Sequence, residues 1–167
     1  MAEQSLFSDG SVDPLSKSGY GAYLITTTPH PSLEQLTGRV VSKRFTHTSS
    51  TRLELQTLLW AIAEVIHTGQ LQPQHDHLTI YTDCQTIINL PARRQRLEKT
   101  NYRSKKNIPL KNGDLYQQLL HQFDSLSLTL IKVRGHQSNK NKQHLDQIFS
   151  LVDRHARQAL RANQSKV

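Results

Sequence analysis

The chain has 167 residues, 35% of them apolar, and a mean hydropathy of −0.58, values that suit one globular domain over residues 1–167 and exclude a disordered chain. Its opening, M-A-E-Q-S, lacks the basic and apolar parts of a secretory signal, and no apolar run reaches the ~18 residues that span a bilayer, so a cytoplasmic chain with no membrane partner is expected. A formal charge of +8 favours a polyanionic partner, while the lone cysteine, Cys84, excludes an internal disulfide and a cysteine-rich zinc site.

In chain order, residues 5–8 read as a short strand that runs out at Asp9 into a glycine turn. After the turn-forming stretch D-P-L-S-K-S, residues 19–28 read as a longer strand rich in β-branched and aromatic side chains. Pro29 and Pro31 break the chain before a third strand over 39–46, so the opening third predicts an antiparallel meander. The period then changes. Leu55, Leu58, Leu59, Ile62, Val65 and Ile66 recur at helical spacing, with Ser49, Ser50 or Thr51 as N-cap and Gly69 as terminator.

Residues 78–82 read as a fourth strand ending at Asp83, followed by a brief apolar-periodic segment that Pro91 interrupts. From Arg93 to Lys111 come eight basic residues, Arg93, Arg94, Arg96, Lys99, Arg103, Lys105, Lys106 and Lys111, against the single acid Glu98. A second basic stretch, Lys132, Arg134, Lys140 and Lys142, surrounds Gly135 and His136. Clustered cations of this kind suit a phosphodiester backbone. A helix over 113–124, a fifth strand over 127–133 and a last helix carrying Leu145, Ile148, Phe149, Val152, Ala156, Ala159 and Leu160 complete the chain, before a polar tail from about 162. The order βββαβαβα predicts an α/β fold, a five-stranded mixed sheet flanked by helices, because a strand–helix–strand connection makes a right-handed parallel crossover.

Four acids stand out against this frame. Asp9 and Asp83 both follow an apolar–polar run, F-S-D and Y-T-D, at the end of a strand, and they converge if those strands are parallel neighbours. Glu54 lies in the first turns of the long helix at the rim of its apolar face, and Asp153 flanks Val152 and Ala156 on the last helix. Each also has a structural reading: a turn residue, a helix cap, a partner of the helix dipole and an i,i+4 partner of Arg157. Asp146, seven residues before Asp153, lies near the same helical stripe and competes with it.

Taken together, F-S-D-G-S, G-Y-G-A-Y-L, T-R-L-E-L, I-Y-T-D-C-Q, V-R-G-H and V-D-R-H-A-R-Q-A-L, in this order and spacing, resemble a ribonuclease H of the cellular type from Leu6 to about Arg161. The resemblance implies the ribonuclease H-like fold and two Mg²⁺ ions, with Mn²⁺ as an alternative, held by Asp9, Glu54, Asp83 and Asp153. It implies His136 as a catalytic residue that assists proton transfer or product departure. Two cations about 4 Å apart can activate water, stabilise the leaving 3′ oxygen and neutralise the phosphate, and hard cations require oxygen ligands.

For the substrate, the resemblance implies a monomer that binds an RNA/DNA hybrid and cuts its RNA strand. Gly10, Ser11, Ser50, Thr51 and Gln85 match positions facing the minor groove, where the 2′-hydroxyl is read. Ser49 and Asn112 match a pocket for a phosphate of the DNA strand. The basic segment at about 91–112, with Arg93, Arg94, Lys105 and Lys106, matches a handle-like protrusion that binds hybrid. The chain departs from the family in carrying Ser50 and Thr51 where asparagines are usual, in lacking a glycine-rich loop at D-P-L-S-K-S, and in having Tyr102 as the one aromatic of the basic segment. Three alternatives stay open: a binding module of this fold without useful catalysis, a DNA endonuclease of the resolvase or transposase kind, and a regulator that acts through protein contacts.

Overall fold

The computed structural model describes residues 2–134 and 143–164. One five-stranded sheet runs through it in the order β3-β2-β1-β4-β5. Strands β1 (Ala2–Asp13), β2 (Ser18–Thr27) and β3 (Val41–Phe45) form the expected antiparallel meander, while β4 (Asp76–Thr82) pairs parallel with β1 and β5 (Ser127–Lys132) parallel with β4. The mixed sheet is therefore the one the element order predicts.

Alternation along β1 divides the core in two. Leu6 faces a cluster with α2 (Ser50–His67), α3 (Gln85–Lys99) and α4 (Gly113–Asp124), through Leu55, Leu58, Ile62, Ile87, Leu90 and Leu119. Phe7 faces the other cluster, with Ile148, Phe149, Val152 and Ala156 of α5 (His144–Gln164). Each such fully buried large side chain contributes about 1.5–3 kcal/mol. Phe7 and Tyr81, partners in the parallel β1–β4 register, stack at 4.6 Å and 9°. Gly69, at φ 78°, stands just beyond the α2 C-cap Thr68 and ends that helix as its position predicts. No helix among the described residues is long and apolar enough to cross a membrane.

The structure corrects four expectations. Strand β1 does not stop at Ser8 but continues through Asp9 and Gly10 to Asp13, with only residues 14–17 left for the turn. Gly10 is a ladder residue opposite Gly21, so it serves close packing and not a turn. Pro91 does not interrupt the segment after β4: α3 runs through it, because the proline is exposed while Ile87, Leu90 and Leu97 on the other side are buried. The loss of one backbone hydrogen bond is outweighed by that burial. A short helix, α1 (Leu33–Leu36), capped reciprocally by Ser32 and Gln35, and a 3₁₀ turn (Thr37–Arg39) lie between β2 and β3. The polar end of the chain stays helical to Gln164.

Candidate active site

Parallel pairing brings the two strand-borne acids together. The β1–β4 register aligns Phe7 with Tyr81; Asp9 stands two residues further along β1, and Asp83, the residue after the end of β4, comes close to it. Asp9 lies within β1, and Asp83 lies outside α3, whose N-cap is Cys84. The turn and cap readings of these two residues therefore do not hold.

Helix α2 brings Glu54 in over the same two acids. Its close approach depends on small residues beneath it: a Cβ on Gly10 would stand 2.9 Å from Leu53, and one on Gly21 would stand 2.0 Å from Thr57 Oγ1. The Gly10–Gly21 pair thus forms a shallow seat for α2 on the sheet. In that seat the Gly10 N–H donates to Glu54 Oε1 at 3.1 Å. Carboxylate oxygens of Asp9, Glu54 and Asp83 then lie within 4.8 Å of one another.

Three acids this close, with Asp9 only 4% and Glu54 9% exposed, cannot all ionise at low cost. Burial first, then the charge of Glu54, a hydrogen bond with Asp153 and the charge of Asp83 push Asp9 up to about 11. Burial, with the charges of Asp83 and Cys84 added, raises Glu54 to about 8 against the lowering effect of its hydrogen bonds from Asp9 and the Gly10 N–H. Glu54 Oε2 is buried and has no hydrogen-bond partner among the described residues. A hard divalent cation fits this donor set: oxygen ligands only, mutually repelling, with an orphaned oxygen among them.

Asp153 reaches the site from α5, on the opposite face of the sheet from α2. It lines the same cleft of about 550 Å³ as the other three acids and is held at 3.1 Å by Arg157 Nε one helical turn on. The i,i+4 pairing and the place in the cleft thus coexist. Asp146 is not in the cleft; it accepts from the Gln143 N–H at 3.2 Å in the first turn of α5. His136, with Lys140 and Lys142, lies outside the described residues.

Gly10, Ser11, Ser50, Thr51 and Gln85 all line the cleft. The amide of Gln85 is engaged at both ends, accepting from Lys132 Nζ at 2.5 Å and donating to Asn89 Oδ1 at 2.8 Å. Ser49 opens instead onto an adjacent groove of about 690 Å³, together with Lys17, His47, Arg52 and Lys111. Asn112 is turned onto Arg52, whose guanidinium also grips Asp114 through both nitrogens, at 3.2 and 2.9 Å. Cys84, Thr86 and Arg157 also line the cleft. Nothing in the sequence marks the first two beyond their place after Asp83, whereas Arg157 is signalled by its spacing from Asp153.

The basic segment stands apart from the cleft. Arg93, Arg94, Arg96 and Lys99 continue α3, and residues 100–112 form the loop that leads to α4. Arg94 is bound by Glu98 at 2.8 Å and by Asp124 through both nitrogens, at 2.5 and 2.9 Å, so it ties α3 to α4. Arg93 lies over the ring of Tyr116 at 5.2 Å, Lys105 lines a separate hollow, and Lys106 is exposed.

A model of the RNase H family matches residues 1–160. No curated protein sequence matches the chain. Among solved structures, the fold is similar to that of LC9-RNase H1, a type 1 RNase H with the type 2 active-site motif, with a TM-score of 0.70 at 15% identity over 97% of this chain and 74% of that one. It is also similar to the foamy viral protease-reverse transcriptase solved with double-stranded DNA, with a TM-score of 0.59 at 9% identity over 93% of each chain. These structural likenesses concern the fold, whereas the family match covers every element that carries one of the four clustered acids. On that ground the chain belongs to the RNase H family of nucleic-acid hydrolases.

Proposed function

We propose that the protein is an endonuclease that hydrolyses the RNA strand of RNA/DNA hybrids, leaving 3′-hydroxyl and 5′-phosphate ends. The observation that carries this reading is the convergence of Asp9, Glu54 and Asp83 within 4.8 Å at the mouth of a cleft that Asp153 also lines. Asp9, Glu54, Asp83 and Asp153 would hold two divalent ions, Mg²⁺ or Mn²⁺. When bound, such ions supply the positive charge that makes water nucleophilic and steadies the departing 3′ oxygen.

The chain's own residues bind and orient. Glu54 fixes the Gly10 N–H, which keeps β1 rigid beside Asp9, and Arg157 fixes the carboxylate of Asp153. Ser11, Ser50 and Thr51 offer hydroxyls in the cleft that suit a ribose 2′-hydroxyl, the group that separates RNA from DNA. His136, carried between β5 and α5 in the sequence, is assigned the movement of a proton or the release of product. Ser49, Asn112 and the basic segment serve the phosphate backbone. The reading takes residues 1–167 as one catalytic domain acting as a cytoplasmic monomer.

Cleavage of a labelled RNA/DNA hybrid beside single-stranded RNA, duplex RNA and duplex DNA, with Mg²⁺, with Mn²⁺ and with chelator, tests it. Duplex DNA belongs in the panel because one fold neighbour was solved with it. Metal-dependent loss of RNA from the hybrid alone is expected. Cutting of duplex DNA without hybrid cutting would make the protein a DNA endonuclease, and binding of hybrid with no cutting under either metal would make it a binding module.

A further inference from the structure

Beside the cleft, the end of β5 reaches across to the first turn of α3. In the parallel β4–β5 register Lys132 stands opposite Thr82, the last residue of β4 and the one before Asp83. Val133, which follows β5, donates its N–H to the Thr82 carbonyl at 2.9 Å, so the stem of Lys132 starts from fixed backbone. Lys132 belongs to the second basic stretch of the sequence, yet among the described residues it makes no ion pair with a carboxylate. Its ammonium donates instead to Oε1 of Gln85, the first residue of α3, at 2.5 Å. Gln85 lines the cleft, whereas Lys132 and Asn89 do not.

An ammonium can only donate, and this fixes which way round the amide lies. With Oε1 against Lys132, Nε2 turns toward α3, where one of its two hydrogens goes to Asn89 Oδ1 at 2.8 Å. Turned over, the amide would set its own N–H groups against the ammonium, donor against donor. Asn89 gives no such direction, since its amide offers both a donor and an acceptor and can turn over with its partner. Lys132 therefore sets the polarity of the series Lys132, Gln85, Asn89, and the second Nε2 hydrogen of Gln85 has no acceptor among the described residues. All three side chains are exposed, so without the lysine, water would leave the amide both orientations.

We propose that Lys132 is a positioning residue: it holds the Gln85 amide with one N–H ready for an acceptor in the minor groove of the bound duplex, and it takes no phosphate itself. This assignment rests on the nucleic-acid substrate proposed above. The minor groove offers acceptors at purine N3 and pyrimidine O2, and a ribose adds its 2′ oxygen, so a fixed donor suits a groove in which a fixed carbonyl would meet mostly other acceptors.

Anisotropy of a labelled hybrid and of duplex DNA of the same sequence, in chelator so that nothing is cut, gives the affinities. The variants are compared on whichever duplex the wild type binds more tightly. Loss of one uncharged hydrogen bond predicts that Gln85→Ala weakens binding about three- to tenfold. Lys132→Met, which keeps an unbranched stem and has no donor, should weaken it about two- to fivefold, the inverse of the fraction of amide left the right way round. In the Gln85→Ala background the same lysine change should cost nothing further, and in either background it should leave the slope of log K against log salt unchanged. Lys132→Arg, like lysine a donor without an acceptor, should bind as the wild type does. Losses that multiply in the double variant, with the slope reduced in magnitude by about 0.9, would place Lys132 on a phosphate and overturn the assignment. So would a Lys132→Met variant that binds like wild type, or a Lys132→Arg variant as weak as Lys132→Met. A wild type that prefers duplex DNA, or that cuts nothing when metal is added, counts against the hybrid-nuclease reading alone, because the coupling of Lys132 to Gln85 is read from binding.

Discussion

Asp9→Asn should stabilise the metal-free protein while removing its activity. Asp9 is 4% exposed, and its carboxyl sits at about 11 instead of the ordinary 3.8, raised chiefly by burial and next by the charge of Glu54. The folded chain therefore keeps a proton that the unfolded chain releases above pH 3.8. Stability is full below that pH and is lost steadily as pH rises toward the folded value, by about 1.4 kcal/mol per pH unit. From 3.8 to neutrality the loss reaches a ceiling of about 4 kcal/mol. Asparagine has the same shape and needs no proton, but it gives up a carboxyl hydrogen bond worth about 1–2 kcal/mol. The net expectation is a gain of about 2–3 kcal/mol at neutral pH. Urea unfolding in chelator from about pH 5 to 8 should show wild-type stability falling with pH, the variant falling less, and the two converging at the acid end. Added Mg²⁺ should then stabilise the wild type and not the variant. A variant less stable than wild type at neutral pH, or a difference independent of pH, would refute the argument.

Asp83→Asn should keep the fold and cut hydrolysis by at least about 10³-fold, read from single-turnover cleavage alongside an unchanged circular dichroism spectrum. Gly21→Ala places a Cβ 2.0 Å from Thr57 Oγ1 and should cost about 2–4 kcal/mol in urea unfolding, part of it recovered by adding Thr57→Ala. The Arg52–Asp114 pair is bidentate, but its side chains are 25% and 53% exposed, so a double-mutant cycle should return a coupling of only about 0.5–1 kcal/mol. Because Arg52 holds Asp114 below the usual carboxylate range, that coupling should be full above the ordinary pKa and disappear as pH falls through the lowered value.

Much of this architecture is legible in the chain because two periods are clean. Alternation around Phe7 and Tyr81 marks the strand that carries Asp9 and the strand that leads into Asp83, and once those strands are taken as parallel neighbours the acids must meet. Glu54 follows from the apolar stripe of α2, at whose rim it lies. The choice between Asp146 and Asp153 does not follow from counting. The two stand about 10 Å apart along one helical stripe, and only the tertiary position of α5 against β1 decides which reaches the cleft.

Other features are hidden because they depend on partners distant in sequence. Gly10 looks like a turn residue until Gly21 and α2 are seen across from it. Pro91 looks like a break until the burial of Leu90 and Leu97 shows what holds α3 together. Arg94 is indistinguishable from its basic neighbours in sequence, yet Asp124, thirty residues on, takes its charge. The capping box of Ser32 and Gln35 has a readable pattern, but the helix it starts is a single turn whose apolar content, Leu33 and Leu36, gives no periodic signal.

The most direct test of the central claim is one duplex carrying distinguishable labels on its RNA and its DNA strand, incubated with wild type and Asp9→Asn in Mg²⁺ and in chelator. The account predicts internal cuts in the RNA strand only, with 5′-phosphate ends, present in wild type with Mg²⁺ and absent from the other three reactions. Cutting of the DNA strand, cutting that persists in chelator, or full activity in Asp9→Asn would contradict it.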